Sequence, residues 1–195
     1  MRTPAERRKE IVLKALDQFE RPLLRYATRL LSGDENSARD AVQHAFMKLC
    51  EQQVSDLPDN LAPWLYTVCR NRTMDLLRRT RREPVANELQ TDAAFAEEPD
   101  PASQLERVAM LRLVQELISQ LAHSEREVAD LWSQGFSNRE IAKVTGRNEG
   151  AVRVCLHRAI KSLRQHPAIQ RWISVNGIED AVAPVSVVQN VMGQK

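Results

Sequence analysis

Residues 138–156 read NREIAKVTGRNEGAVRVCL, two helical patterns separated by a short turn that contains a glycine. Ala142 supplies the small side chain that is needed where two helices cross closely. Four residues later, Gly146 can adopt the positive φ that such a turn requires. Asn148 then provides a side-chain cap for the helix that follows. Together these residues predict a helix-turn-helix.

The helix after Asn148 is predicted to be amphipathic. Its apolar inner stripe consists of Val152, Leu156, Ala159 and Leu163. Its basic outer stripe consists of Arg153, His157, Lys161 and Arg164, with Arg158 beside it. Solvated charges on an ordinary helical hairpin are one explanation, since most charged side chains simply face water. The alanine, glycine turn and asparagine cap favour the other explanation, in which this helix reads the major groove of DNA.

Charge is distributed unevenly along the 195 residues, although the formal net charge is only +2. Residues 1–83 carry +4, residues 84–106 carry −6 and residues 107–166 carry +4. Six arginines lie between positions 67 and 82, where Asp75 is the one acidic residue. Two basic blocks that flank an acidic segment indicate an anionic polymer as the partner.

The acidic segment also predicts the domain organisation. Residues 84–100 contain prolines and lack helical periodicity, which is typical of a flexible linker. We therefore predict two small domains, at 1–83 and 101–166, and a C-terminal extension of unknown role at 167–195. Nothing in the chain alternates as a strand would. The predicted fold class is all-α, with the helix-turn-helix in the second domain.

Three helices are predicted in the first domain. The first has apolar residues at helical spacing from Val12 onwards and is interrupted at Pro22. The second begins near Asp34 or Ser37, and the third begins at Pro63, a residue that suits a first helical turn. One face of the second helix is apolar and consists of Ala38, Ala41, Val42, Ala45 and Leu49.

The second domain is predicted to open with a helix over residues 101–121. Two pairs of residues with capping-box spacing then begin two further helices. These pairs are Ser124 with Glu127 and Ser137 with Glu140.

Three segments together resemble one known family. They read RDAVQHAFMKLC at 39–50, PWLYTVCRNRTMDLLRRTRR at 63–82, and HSEREVADLWSQGFSNREIAKVTGRNEGAVRVCLHRAIKSLR at 123–164. Their order and their Asp-x-x-Gln-x-x-Phe and Trp-Leu…Asn…Asp…Arg-Arg signatures are similar to those of the extracytoplasmic-function sigma factors of bacterial RNA polymerase. The resemblance implies a subunit that binds core polymerase, recognises the −35 and −10 promoter elements and promotes DNA melting.

The resemblance also implies roles for regions and residues. Residues 1–83 correspond to region 2, residues 84–100 to a linker that replaces region 3, and residues 101–166 to region 4. The surface implied to bind core polymerase consists of Asp40, Val42, Gln43 and Phe46. The residues implied to hold single-stranded DNA at the −10 element are Arg70, Asn71, Arg72, Arg78 and Arg79. The residues implied to bind the −35 duplex are Arg147, Asn148, Arg153, His157, Arg158, Lys161 and Arg164.

The recognition helix departs from the family at three positions. Family members often have threonine, serine and arginine where this chain has Ala151, Val154 and Cys155. The resemblance therefore implies an unusual base preference.

Two other classes remain open from the sequence. A two-domain helix-turn-helix transcriptional regulator would bind duplex DNA on its own, and it would not need Gln43, Phe46 or the arginine-rich third helix. An enzyme is disfavoured, because the four histidines are scattered and no nucleophile motif or carboxylate pair assembles a catalytic site. We predict no cofactor and no metal site.

The expected partners are core RNA polymerase and promoter DNA, and the resemblance leaves open an anti-sigma factor. No apolar run approaches the ~20 residues of a membrane span, so we expect no membrane insertion and a cytoplasmic, nucleoid-associated location. Cys50, Cys69 and Cys155 are an odd number without CxxC spacing, which predicts neither a disulfide framework nor a zinc site.

Overall fold

The computed structural model describes residues 4–80, 113 and 116–175. These residues are helical, without a strand among them, which confirms the predicted all-α class. The chain divides into two compact units. Residues 4–80 belong to the first, and we call residues 116–175, nearly all of which belong to the other, the second unit. The predicted linker at 84–100, most of the predicted helix at 101–121 and the last part of the extension lie outside the described residues. The predicted domain boundaries therefore stay predictions.

The first unit contains three helices: α1 at Pro4–Leu30, α2 at Glu35–Glu51 and α3 at Leu61–Thr80. A short 3₁₀ helix at Val54–Asp56 lies between α2 and α3. The predicted apolar face of α2 is confirmed, since each of its five members is buried. Facing it, α3 buries Leu65, Tyr66, Cys69 and Thr73.

The predicted interruption of the first helix is wrong. Pro22 lies inside α1, which continues as one helix to Leu30. A proline inside a helix removes one backbone hydrogen bond. Ala15, Leu23 and Ala27 are nevertheless buried on both sides of it. Because burying one leucine contributes about 1.5–3 kcal/mol, this packed stripe offsets the cost of the lost bond.

Side chains next to the first turns set where α2 and α3 begin. The Asp34 carboxylate accepts a hydrogen bond from the Ser37 backbone N–H at 3.0 Å and caps α2. Hydrogen bonds from Ser37 lower the pKa of Asp34. The predicted start of α3 at Pro63 is two residues late, because the Asn60 side chain accepts from the Ala62 N–H and starts the helix at Leu61. Pro63 thus lies in the first turn, where a missing N–H is tolerated.

The buried face of α3 contains an aromatic contact with α1 and a thiol. The rings of Tyr26 and Tyr66 pack with their centroids 5.1 Å apart and join α1 to α3. Burial raises the pKa of Cys69 to about 12, so this thiol stays protonated near neutral pH.

The second unit contains α4 at His123–Ser133, α5 at Asn138–Thr145, α6 at Glu149–Arg164 and α7 at Pro167–Val175, preceded by a helical segment at 116–120. The beginning of the C-terminal extension belongs to this unit. Ile169 of α7 is buried in one cluster with Ile118 and Leu163. The extension therefore starts as a helix that packs on the unit before it.

One of the two predicted capping boxes is confirmed and the other is wrong. The Ser137 hydroxyl accepts from the Glu140 N–H, and the Glu140 carboxylate accepts from the Ser137 N–H. By contrast, α4 begins at His123 without a side-chain cap. Glu127 does not reach back to Ser124, because its carboxylate is fully buried beside Arg147.

Candidate nucleic-acid interfaces

An open groove of about 380 Å³ lies between α2 and α3 in the first unit. One wall is formed by His44 and Lys48 of α2 and by Gln52, the residue that directly follows this helix. The other wall is formed by Trp64, Val68, Asn71, Arg72 and Asp75 of α3. Aromatic faces, an amide and cationic groups in one groove suit an unpaired nucleobase and its phosphate. We call this feature the α2–α3 groove.

An ion pair links the two walls of the groove. The Arg72 guanidinium donates from Nη2 and Nε to Asp40 Oδ2, at 2.6 and 3.1 Å. The Arg72 side chain is 24% exposed and the Asp40 side chain 49%. The sequence analysis assigns Asp40 to polymerase and Arg72 to DNA, but in the structure these two residues bind each other.

The structure divides the predicted single-strand residues. Asn71, which is exposed, and Arg72 line the groove. Arg78 and Arg79 are exposed farther along α3, and Arg78 pairs with Asp75 at 3.1 Å. Arg70 is half-buried and does not line the groove.

The predicted polymerase surface is divided as well. Asp40 and Gln43 are exposed on α2, whereas Val42 and Phe46 are 5% and 7% exposed and belong to the core. Phe46 follows Val42 by one turn and therefore falls on the buried stripe of the helix.

Met47 is exposed instead, at 54%, and follows Gln43 by one turn. We call Asp40, Gln43 and Met47 the α2 outer stripe. Met47 was missed by the sequence analysis, although its spacing from Asp40 and Gln43 is a helical one.

The helix-turn-helix geometry of the second unit agrees with the prediction. Ala142 is buried, and Gly146 ends α5 in the left-handed region at φ 69°. The Asn148 side chain caps α6 by accepting from the Ala151 N–H at 2.7 Å. Val152, Leu156, Ala159 and Leu163 are buried, as predicted for the inner stripe.

Arg147 does not project towards solvent with the other predicted duplex-binding residues. Its guanidinium donates to the Ser124 carbonyl at 3.3 Å and contacts Cys155 Sγ at 3.6 Å. It also lies 3.6 Å from the carboxylate of Glu127, whose side chain is fully buried. Arg147 is therefore a clasp that holds the turn to α4, and its position does not favour the predicted contact with DNA.

The remaining predicted duplex-binding residues of α6 are exposed: Arg153, His157, Arg158, Lys161 and Arg164. Val154 is 50% exposed on the same helix and was not in the predicted binding set. We call Arg153, Val154, His157, Arg158 and Lys161 the α6 outer face. It combines cations with one apolar side chain.

Comparison with known proteins places this geometry in a family. Residues 15–83 match the family model for sigma-70 region 2, and this match includes the α2–α3 groove and the α2 outer stripe. The ECF RNA polymerase sigma factor SigL of Mycobacterium tuberculosis is 30% identical over 157 residues, which are 78% of this chain and 87% of SigL. The chain belongs to the extracytoplasmic-function RNA polymerase sigma factors.

Other members of this sigma factor family are similarly related. ECF RNA polymerase sigma factor SigF of Caulobacter vibrioides is 29% identical over 142 residues, which are 72% of this chain and 76% of SigF. A probable RNA polymerase sigma factor of Xanthomonas campestris, RfaY, is 31% identical over 150 residues. Those residues are 74% of this chain but only 36% of RfaY.

Family membership confirms the predicted resemblance and its connection with transcription initiation. A sigma factor is a regulatory subunit and not a catalyst. Within the described part of this sigma factor, no helix is long and apolar enough to cross a membrane. The same part holds no group of three or more histidine, cysteine or acidic side chains arranged for a metal ion.

Proposed function

We propose that this sigma factor binds core RNA polymerase, recognises the −35 and −10 promoter elements and promotes DNA melting. The observation that carries the proposal is the α2–α3 groove, where Asn71 lies next to cationic and aromatic side chains. This chemistry suits a single strand of nucleic acid.

The α2 outer stripe is the proposed contact with core polymerase. Asp40, Gln43 and Met47 offer a charge, an amide and a flexible thioether on one exposed helical face. Such a face can pack along a partner helix, and methionine is enriched at protein interfaces. Phe46 then supports the stripe from the core and does not itself form the contact.

The α2–α3 groove is the proposed site for the non-template strand at the −10 element. Trp64 and His44 offer ring faces, and Asn71 offers hydrogen bonds to a base edge. Lys48 and Arg72 supply positive charge for the phosphates. Arg79, which is exposed farther along α3, extends this charge.

The α6 outer face is the proposed reader of the −35 duplex. It follows the capped turn of a helix-turn-helix, and the first turns of such a helix reach base edges in the major groove. Lys161 and Arg164 lie farther along the helix, where contacts with phosphate are expected. A restraining anti-sigma factor and a location at the nucleoid stay predictions.

The test compares promoter opening on two templates, using the full chain assembled with core polymerase. Asn71→Ala should reduce open-complex formation on a duplex promoter about ten-fold, since a contact with one unpaired base is worth about 1–3 kcal/mol. A template with a pre-melted −10 bubble should be opened almost normally, because its melting is already provided. Asn36→Ala, which removes another exposed amide of the first unit, is the matched control. Equal loss on both templates would make Asn71 a packing residue.

The alternative function, a two-domain regulator that binds duplex DNA alone, makes a different prediction. Such a regulator would shift promoter fragments in a gel without polymerase present, and it would not support transcription by added core enzyme. Promoter-specific transcription that requires both this chain and core polymerase would exclude it.

A further inference from the structure

Val154 is an exposed apolar side chain within a basic surface. Among the described residues, only Leu13, Met47 and Val154 are large hydrophobic side chains with about half of their surface exposed. Leu13 and Met47 belong to the first unit, so Val154 is the member of this set that lies on the helix-turn-helix. The Val154 side chain is not buried in the core of the described second unit, so core packing does not account for an apolar residue at this position.

The position of Val154 on the helix is central. With 3.6 residues per turn, Val154 points about 170° away from the mean direction of the buried stripe of α6. Arg153, which the sequence analysis favours as a base reader, lies only about 90° from that stripe and therefore on the flank. Val154 is thus closer than Arg153 to the middle of the surface that would face a bound duplex.

The surroundings of Val154 leave it accessible to a large ligand. Helical side chains lean towards the preceding turn, and the residue one turn before Val154 is Gly150, which has no side chain. On the other side, Arg158 and Lys161 are exposed cations one to two turns farther along, and the exposed His157 lies beside them. An isopropyl group in this setting suits a ligand that is anionic overall and carries apolar groups at fixed positions.

Duplex DNA has this combination. Its phosphates are anionic, and the major groove presents the C5-methyl group of thymine to a helix lying in it. We propose that Val154 is a specificity-determining residue that packs against the methyl group of one thymine in the −35 element. The proposal rests on the proposed function of α6 and adds the base that this position selects.

The experiment removes the methyl group from the DNA and the isopropyl group from the protein. Holoenzyme made from the full chain first selects duplexes from a pool randomised at the −35 element. Each thymine of the enriched duplex is then replaced, one at a time, by deoxyuridine, which differs only in lacking the methyl group. At one position, deoxyuridine should lower the affinity of the wild-type holoenzyme about four-fold, the size expected for burying one methyl group.

Val154→Ala should bind the thymine and deoxyuridine duplexes with most of the difference gone, because alanine lacks the two methyl groups that reach farthest from the helix. The variant should fold, since alanine is the best helix former and the site is exposed. Leu13→Ala removes a similarly exposed apolar side chain from α1 and should keep the four-fold difference. Arg153→Ala should bind more weakly but also keep it.

Three results would overturn the inference. Sensitivity to deoxyuridine that persists in Val154→Ala would assign the methyl contact to another residue. If no thymine is sensitive to replacement by deoxyuridine and Val154→Ala assembles more weakly with core polymerase, Val154 contacts polymerase instead of DNA. Failure to enrich any sequence would overturn the proposed duplex recognition itself and the inference with it, an outcome distinct from the first two.

Discussion

The α2–α3 groove and the α6 outer face are the two proposed DNA sites, and they hold their cations differently. In the groove, Arg72 is bound to Asp40 and Lys48 is bound to Glu51, at 2.6 and 2.7 Å. On α6, the side chains of Arg153, Arg158 and Lys161 are exposed and form no ion pair with any residue that the structure describes. The cations of the α6 outer face are thus available to phosphate, whereas those of the groove must first leave their internal ion pairs. This difference suits a protein that meets duplex DNA before single strands form.

The largest expected effect tests which residues of α2 are surface and which are core. Phe46→Ala should lower the free energy of unfolding by about 3–5 kcal/mol, because a buried aromatic ring is lost. Gln43→Ala should leave stability within about 0.5 kcal/mol, since the residue is exposed. Its affinity for core polymerase should nevertheless fall. Denaturant unfolding and polymerase titration of both variants decide the assignment. A Phe46→Ala protein that is stable but cannot bind polymerase would show that Phe46 is a contact residue and not a core residue.

The second prediction concerns the Arg147 clasp of the second unit. Arg147→Met should cost about 3 kcal/mol of unfolding free energy at neutral pH, because it leaves the buried Glu127 carboxylate without this cation. The low end of the usual range applies because the Arg147 side chain is 25% exposed. Arg158→Met, on the α6 outer face, should change stability by less than about 0.5 kcal/mol.

Adding Glu127→Gln to Arg147→Met should restore part of the lost stability, since the buried carboxylate at position 127 is then replaced by a neutral amide. If Arg147→Met instead kept full stability and lost only DNA affinity, the predicted DNA contact would be correct and the clasp would not.

The third prediction tests directly whether the groove and α6 differ in how their cations are held. Lys161→Ala should weaken binding to all duplex sequences alike and reduce the salt slope by about one ion. Asp40→Asn should release Arg72 and steepen the salt dependence of binding to a single-stranded −10 oligonucleotide by about 0.7 ion. Glu35→Gln, which releases Arg39 on α2, is a matched control, because neither member of that exposed ion pair lines the groove. An unchanged single-strand slope in Asp40→Asn would mean that the Asp40 pair does not restrain Arg72.

The smallest expected effect is at the start of α2. Asp34→Ala should cost about 1 kcal/mol of unfolding free energy at neutral pH, since it removes the cap of the helix. The hydrogen bonds from Ser37 lower the pKa of Asp34 in the folded protein. The stabilisation is therefore present above the pKa of the unfolded chain and is lost as the pH falls through the lower folded pKa. Unfolding measured from neutral to acid pH should show the two proteins converging, and a constant difference would assign the effect to helix propensity.

Features that depend on neighbours within a few residues could be predicted from the sequence. The Gly146 turn, the Asn148 cap and the Ser137–Glu140 capping box agree with the structure, because each is formed by groups at most four residues apart. The buried face of α2 was predictable for the same reason, since helical spacing alone determines which residues share a face. Family motifs added the expected partners of each region but not the side-chain arrangement within it.

Features that depend on distant residues were decided only by the tertiary structure. Arg72 and Asp40 are 32 positions apart, and Arg147 and Ser124 are 23 apart, so no local pattern predicts that these pairs meet. Pro22 is tolerated inside α1 because residues on both sides of it are buried in the core. Phe46 is buried and Val154 is exposed according to the direction in which each helix meets its neighbours. Sequence spacing places residues on a common face, but only packing between helices decides whether that face is turned inwards or towards a partner.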